Sequence, residues 1–84
     1  MNINHRLKCW PKYFEDIWDG RKSFDVRNGN DRIYCEGDGV MLEEWDPVAL
    51  KYTGRSFAVR VTYVMHGPPF LPGDLWVLGL SKEA

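Results

Sequence analysis

The longest alternation of apolar and polar side chains does most to limit what this chain can become. It runs from Ser56 to Val64, with Phe57, Val59, Val61 and Tyr63 at every second position and Arg60 and Thr62 between them. A period of two belongs to a strand that buries one face. Shorter runs repeat the theme. Residues 3–7 read as a first strand. Ser23 to Arg27 alternates, which puts Phe24 and Val26 inward and Asp25 and Arg27 outward. Val40 to Trp45 reads as a strand that ends at Asp46-Pro47, and Leu75 to Leu80 as the last one. Turn chemistry separates them: residues 28–32, Gly37-Asp38-Gly39, Gly67-Pro68-Pro69 and Pro72-Gly73-Asp74. Residues 46–54 read as a longer loop that closes with Thr53-Gly54.

Only one segment has a helical period. Pro11 opens it, where a missing N–H costs nothing. Trp10, Tyr13, Phe14, Ile17 and Trp18 then recur at helical spacing, and Gly20 suits the stop. The helix is short, so docking of its apolar stripe has to stabilise it. Trp10 and Trp18 are therefore expected in the core. One early helix and five or six short strands give an α+β class. The architecture expected is a small, mostly antiparallel β-barrel or curled sheet formed by residues 1–84 as one domain. At 84 residues the chain buries only somewhat more than ~60% of its unfolded surface, so four Trp, four Tyr and four Phe matter for its stability.

Charge and motifs exclude more than they specify. The formal net charge of −1 gives no global field toward nucleic acid or membrane. Its distribution is uneven. Glu36, Asp38, Glu43, Glu44 and Asp46 crowd residues 36–50, which read as a solvated acidic face. Lys51, Arg55 and Arg60 follow with no acid among them. Cys9 and Cys35 form no C-x-x-C, which suits free thiols in a reducing cytosol. Cys9 reads as a small buried hydrophobe beside Trp10 rather than as an activated thiol. The N-terminal MNINHRLKCW lacks an apolar signal region, and no apolar run approaches the ~20 residues of a membrane span. The expectation is a cytoplasmic protein with no membrane partner. There is no G-x-x-x-x-G-K loop, no G-x-G-x-x-G after a strand, no G-x-S-x-G elbow and no zinc-spaced His/Cys set. His5 and His66 stand alone. No metal and no cofactor is expected.

The polar segments that remain are His5-Arg6-Leu7-Lys8, Gly20-Arg21-Lys22-Ser23-Phe24-Asp25-Val26-Arg27, Asn30-Asp31-Arg32, Gly37-Asp38 and Tyr52-Thr53-Gly54-Arg55. In order and spacing they resemble the ASCH domains of the PUA-like superfamily. More narrowly, they resemble short phage and bacterial proteins with H-x-L-K, G-x-K-[ST]-F-[ED]-x-R, N-D-R, G-D and Y-T-G-R. The resemblance covers residues 5 to 80. One departure is an extra residue between the strand and N-D-R, where this chain reads Arg27-Asn28-Gly29-Asn30-Asp31-Arg32. The resemblance implies a barrel with one helix packed at its mouth and a cleft between them. Lys22, Asp25 and Arg27 should face that cleft, with Lys8, Asn30, Asp31, Arg32 and Arg55 nearby.

Candidate ligand-binding residues are therefore His5, Lys8, Lys22, Asp25, Arg27, Asn30, Asp31, Arg32, Tyr52 and Arg55. Arg suits bidentate contact with phosphate and Lys supplies a point charge. Asn30 and Asp31 can read a base edge, and Trp10, Tyr34 or Tyr52 can stack on one. The function expected is RNA or nucleotide binding. A second class is a small hydrolase, because some ASCH relatives cleave acylated cytidine and others are ribonucleases. The Thr of the amidohydrolase type is replaced here by Asp25, which leaves Lys22 and Asp25 as the acid/base pair. A third class is a phage-encoded protein that binds or inhibits a host protein. The structural alternative is that Asp25 and Arg27 pair with each other, and that an Asp25–Arg27–Arg55 network locks the fold. The oligomeric state stays open.

Overall fold

The alternating segment lies inside a strand of 16 residues, and this length shapes the molecule. In the computed structural model, which describes residues 1–29 and 32–83, the elements are β1 (His5–Cys9), α1 (Pro11–Trp18), β2 (Phe24–Asn28), β3 (Gly39–Asp46), β4 (Lys51–His66) and β5 (Leu75–Lys82). They form one five-stranded sheet in the order β1-β3-β4-β5-β2. β1 runs parallel to β3 and every other pair is antiparallel. β4 serves two neighbours in succession: it pairs with β3 up to Arg60 and with β5 from Val59 onward. A strand that changes partners along its length bends, and the sheet curls into a half-barrel. Its two edge strands, β1 and β2, then face each other across an open seam, which the Arg27 guanidinium bridges by donating Nη2–H to the Lys8 carbonyl at 2.7 Å.

The curled interior holds Leu7, Val40, Leu42, Val59, Val61, Leu78 and Leu80, with Tyr34 and Trp76 at one end. Full burial of each aliphatic side chain stabilises by roughly 1.5–3 kcal/mol. From α1 only Phe14 and Ile17 reach this core. The helix has eight residues, little more than two turns, so one i, i+3 pair faces inward. Trp10 and Trp18 do not join it: they remain 55% and 48% exposed. Trp10 is the extended N-cap residue ahead of Pro11, and Trp18 lies edge-on to Phe57 under the Lys82 ammonium. Gly20 takes φ +83 just after the helix, as a C-terminal stop requires.

Three expectations about the strands change. Thr53-Gly54 does not close a loop. The loop between β3 and β4 is the tight turn of residues 47–50, in which the Asp46 carboxylate accepts from the Val48 and Ala49 N–H groups at 2.8 and 3.0 Å. Thr53, Gly54 and Arg55 instead form a bulge opposite Glu44, with Gly54 at φ +98. A second bulge at Thr62 resets the alternation. Val59 and Val61 point inward, but Tyr63 turns out to solvent and Val64 packs on the core in its place. Gly79 makes this possible: a Cβ there would meet Thr62 Oγ1 at 2.8 Å and Tyr63 Cβ at 3.2 Å.

The third change is the phase of β2. Asp25 is buried at 8% exposure, while Phe24 and Val26 are 46% and 49% exposed. The register explains it. Asp25 lies opposite Leu78 and Arg27 opposite Trp76, both core residues, so these charged side chains share the inner face of the sheet. At an open seam an inward carboxylate can be neutralised by Arg27 of the same strand and by Lys22 just ahead of it, and the apolar side chains are left to line the rim.

Candidate functional site

β1 and β2 hold the site between them, with α1 at one end. The floor is a trio of charges. Asp25 Oδ1 accepts from Lys22 Nζ at 3.1 Å and from the Val26 N–H at 3.1 Å, and Oδ2 accepts from Arg27 Nε at 2.8 Å. Arg27 Nη2 also lies 2.8 Å from Oδ2, so the guanidinium grips that oxygen while reaching across to β1. Lys22 Nζ donates further to the Phe24 carbonyl at 3.0 Å, with the Phe24 and Tyr13 rings about 5 Å away. All three side chains are largely buried. Two cations over one carboxylate leave a local excess of one positive charge.

Above this floor is a cavity of about 560 Å³ whose rim is Trp10, Tyr13, Phe24 and Val26. Cys9 completes its wall. Burial, with the Asp25 carboxylate adding to it, pushes the Cys9 thiol up to about 11, so this cysteine is a packing group and not a nucleophile at neutral pH. Cys35 is free as well, and exposed. On the other side of Arg27 lies a second cavity of about 710 Å³, which Arg27 shares. Here His5 is buried, with Nε2 2.7 Å from Asp38 Oδ2 and Nδ1 3.4 Å from Arg32 Nη1. The neutral tautomer with hydrogen on Nε2 satisfies both contacts.

The structure thus brings Lys22, Asp25 and Arg27 together on one wall, with His5 and Arg32 next to them across the Arg27 side chain. Lys8 contributes its backbone carbonyl to the seam, but its ammonium lies on the outer face, 3.8 Å from the Trp45 ring centroid. Tyr52 is on that outer face too, edge-on to Trp45 at 4.9 Å. Arg55 lies elsewhere. It donates to both carboxylate oxygens of Glu44, to Glu15 on α1, and covers the Phe14 ring, so it clamps the helix to β3 and takes no part in an Asp25–Arg27 network. The bond from Arg55 holds the buried Glu44 carboxyl below its ordinary range, and Thr53 adds to the effect. Glu44 and Asp38 are therefore internal partners and not members of a solvated acidic face. Tyr34 is buried against His5 and Trp76 and cannot stack on a ligand. Asn30 and Asp31 lie outside the described residues. Sequence reasoning missed Tyr13, Phe24 and Val26 as rim residues, although the Phe within the G-x-K-[ST]-F-[ED]-x-R run was a usable signal.

Among the described residues no helix is long and apolar enough to cross a membrane, and no three His, Cys, Asp or Glu side chains gather as metal ligands. The geometry is that of a polar, partly cationic floor under an aromatic rim. Residues 4–80 match the family described as "Domain of unknown function (DUF3850)". Over 60 residues the chain is 38% identical to the "Uncharacterized 12.9 kDa protein in GpA 3'region" of Escherichia phage P2, an alignment that covers 71% of this chain and 52% of that protein. The chain spans about half the length of the curated relative it matches. With the family match running over almost its whole length, the chain belongs to the DUF3850 family.

Proposed function

We propose that the β1–β2 cleft binds a nucleotide or single-stranded RNA, in keeping with the ASCH, PUA-like resemblance of the motifs that build it. The observation that carries this reading is the pairing of the Lys22–Asp25–Arg27 floor with exposed aromatic side chains at its rim. An exposed Trp10 indole can cover a base face, a contact worth about 1–3 kcal/mol. The Asp25 carboxylate can accept from an amino or imino group on a base edge, and the excess positive charge favours a phosphate. A purely structural ion trio would not require three large aromatic side chains to stay in solvent around it.

The test is anisotropy of fluorescein-labelled RNA and DNA oligomers at two salt concentrations, with wild type and the Lys22→Ala/Arg27→Ala double variant. Binding that weakens with salt and disappears in a folded double variant supports the reading. Wild type that binds neither polymer and no free nucleotide refutes it, and a protein partner then becomes the better explanation of the cleft.

A further inference from the structure

The seam is not one socket. Two cavities lie on either side of Arg27, and they differ in chemistry. The first has the aromatic rim and the Asp25 carboxylate. The second has His5, Arg27 and Arg32 and no acidic side chain among its described lining residues. Its cations are also less committed. Arg27 spends Nε and Nη2 on Asp25 and the Lys8 carbonyl, and its Nη1 makes no bond among the described residues. Arg32 is exposed, and among the described residues its side chain makes a single long contact, from Nη1 to His5 Nδ1. His5 is itself held by Asp38, whose Oδ2 also accepts from the Cys35 N–H at 2.9 Å, so the base of the second cavity is fixed before any ligand arrives. Two guanidinium groups with spare donors, of which only Arg27 is paired with a carboxylate among the described residues, make an anion site. Among its described lining residues the second cavity offers no exposed aromatic face on which a base could stack, because Tyr34 is buried.

Resting on the nucleotide-binding reading above, we propose that the ligand is a single strand of at least two linked nucleotides, with a base under the aromatic rim of the first cavity and the adjoining internucleotide phosphate held by Arg32 and Arg27 in the second. A free mononucleotide fills only the first cavity. A strand crosses over the Arg27 side chain and uses both.

The experiment compares an eight-nucleotide fluorescein-labelled oligo(U) RNA, read by anisotropy, with uridine 5′-monophosphate, read by competition. Both are applied to wild type, Arg32→Ala and Arg32→Glu. Arg32 is exposed, so all three proteins should share one urea midpoint. Arg32→Ala is expected to weaken the oligomer about tenfold, the loss of one charge-assisted contact. It should also flatten the salt dependence by about 0.7 in the log–log slope, as expected for one phosphate of a single strand. Arg32→Glu should weaken the oligomer further, and the mononucleotide should compete equally well for all three proteins. Unchanged oligomer binding in Arg32→Glu overturns the second-cavity phosphate. Equal losses for oligomer and mononucleotide overturn it too, since Arg32 would then hold the phosphate of a single nucleotide. Wild type that binds neither ligand removes the underlying nucleotide reading, and this proposal with it.

Discussion

Replacing Asp25 by Ala should cost far more than its place on an edge strand suggests. The carboxylate takes donors from Lys22, the Val26 N–H and the Arg27 fork, and all three charged side chains are largely buried. Without it two partly desolvated cations lose their counterion. Breaking a buried pair by deleting one partner costs about 3–5 kcal/mol, and a buried donor left unsatisfied about 1–3 kcal/mol. Here Lys22 keeps the Phe24 carbonyl and Arg27 keeps that of Lys8, which offsets part of the loss. The expected destabilisation is therefore about 3 kcal/mol, or roughly 12–24 °C in Tm for a domain of this size. Asp25→Asn keeps one acceptor oxygen and should lose less. The control is Val26→Ala on the opposite face, half exposed, for which a change under about 1 kcal/mol is expected. Urea unfolding followed by tryptophan fluorescence measures all three. A small loss for Asp25→Ala together with a loss of several kcal/mol for Val26→Ala would show that β2 has the opposite phase, and the floor of the site would dissolve with it.

Gly79→Ala should destabilise by about 1–3 kcal/mol in the same assay, because the added methyl meets the Thr62 bulge and the neighbouring backbone must shift. Glu44 links stability to acid. Its folded carboxyl lies below the ordinary range, chiefly through the Arg55 bond. Its contribution is therefore complete above the unfolded value of roughly 4.3 and is lost as pH falls through the folded value, so Glu44→Gln should flatten the acid limb of a stability–pH curve. Iodoacetamide at pH 8 should add one group per native chain, at exposed Cys35, and a second, at Cys9, only after urea unfolding; mass spectrometry counts them.

The sequence carries the class of each element well and the facing of each side chain less well. Pro11, the Phe14–Ile17 spacing and Gly20 specify the helix, and alternation specifies β4, because these signals are local. Facing fails where long-range register decides. Tyr63 keeps perfect alternation with Val61, yet the Thr62 bulge turns it out, and the room for that bulge comes from Gly79 on another strand. Phe24 and Val26 look like inward residues until β5 sets Asp25 opposite Leu78. Thr53-Gly54 is read correctly as punctuation, but as a loop end and not as a bulge that aims Thr53 and Arg55 at Glu44. Arg55 looks like a ligand cation because the carboxylates that bind it, Glu15 and Glu44, lie 40 and 11 residues away along the chain.

The β2 inversion also bears on why the cleft exists. A half-barrel leaves two edge strands with free backbone groups, and such edges invite pairing with another chain. Inward-pointing charges are one way to prevent it, because an incoming strand would have to bury them. Asp25 and Arg27 occupy that position on β2, and Arg27 satisfies a carbonyl on the β1 edge without forming a ladder. The seam is thereby kept from zipping shut. The same step puts a neutralised but polar floor at the bottom of a groove and moves Phe24 and Val26 to its lip. An arrangement that protects the edges of a small open barrel thus has, as a by-product of strand periodicity, a polar floor with Phe24 and Val26 at its lip, beside the Trp10 and Tyr13 that α1 and its N-cap supply.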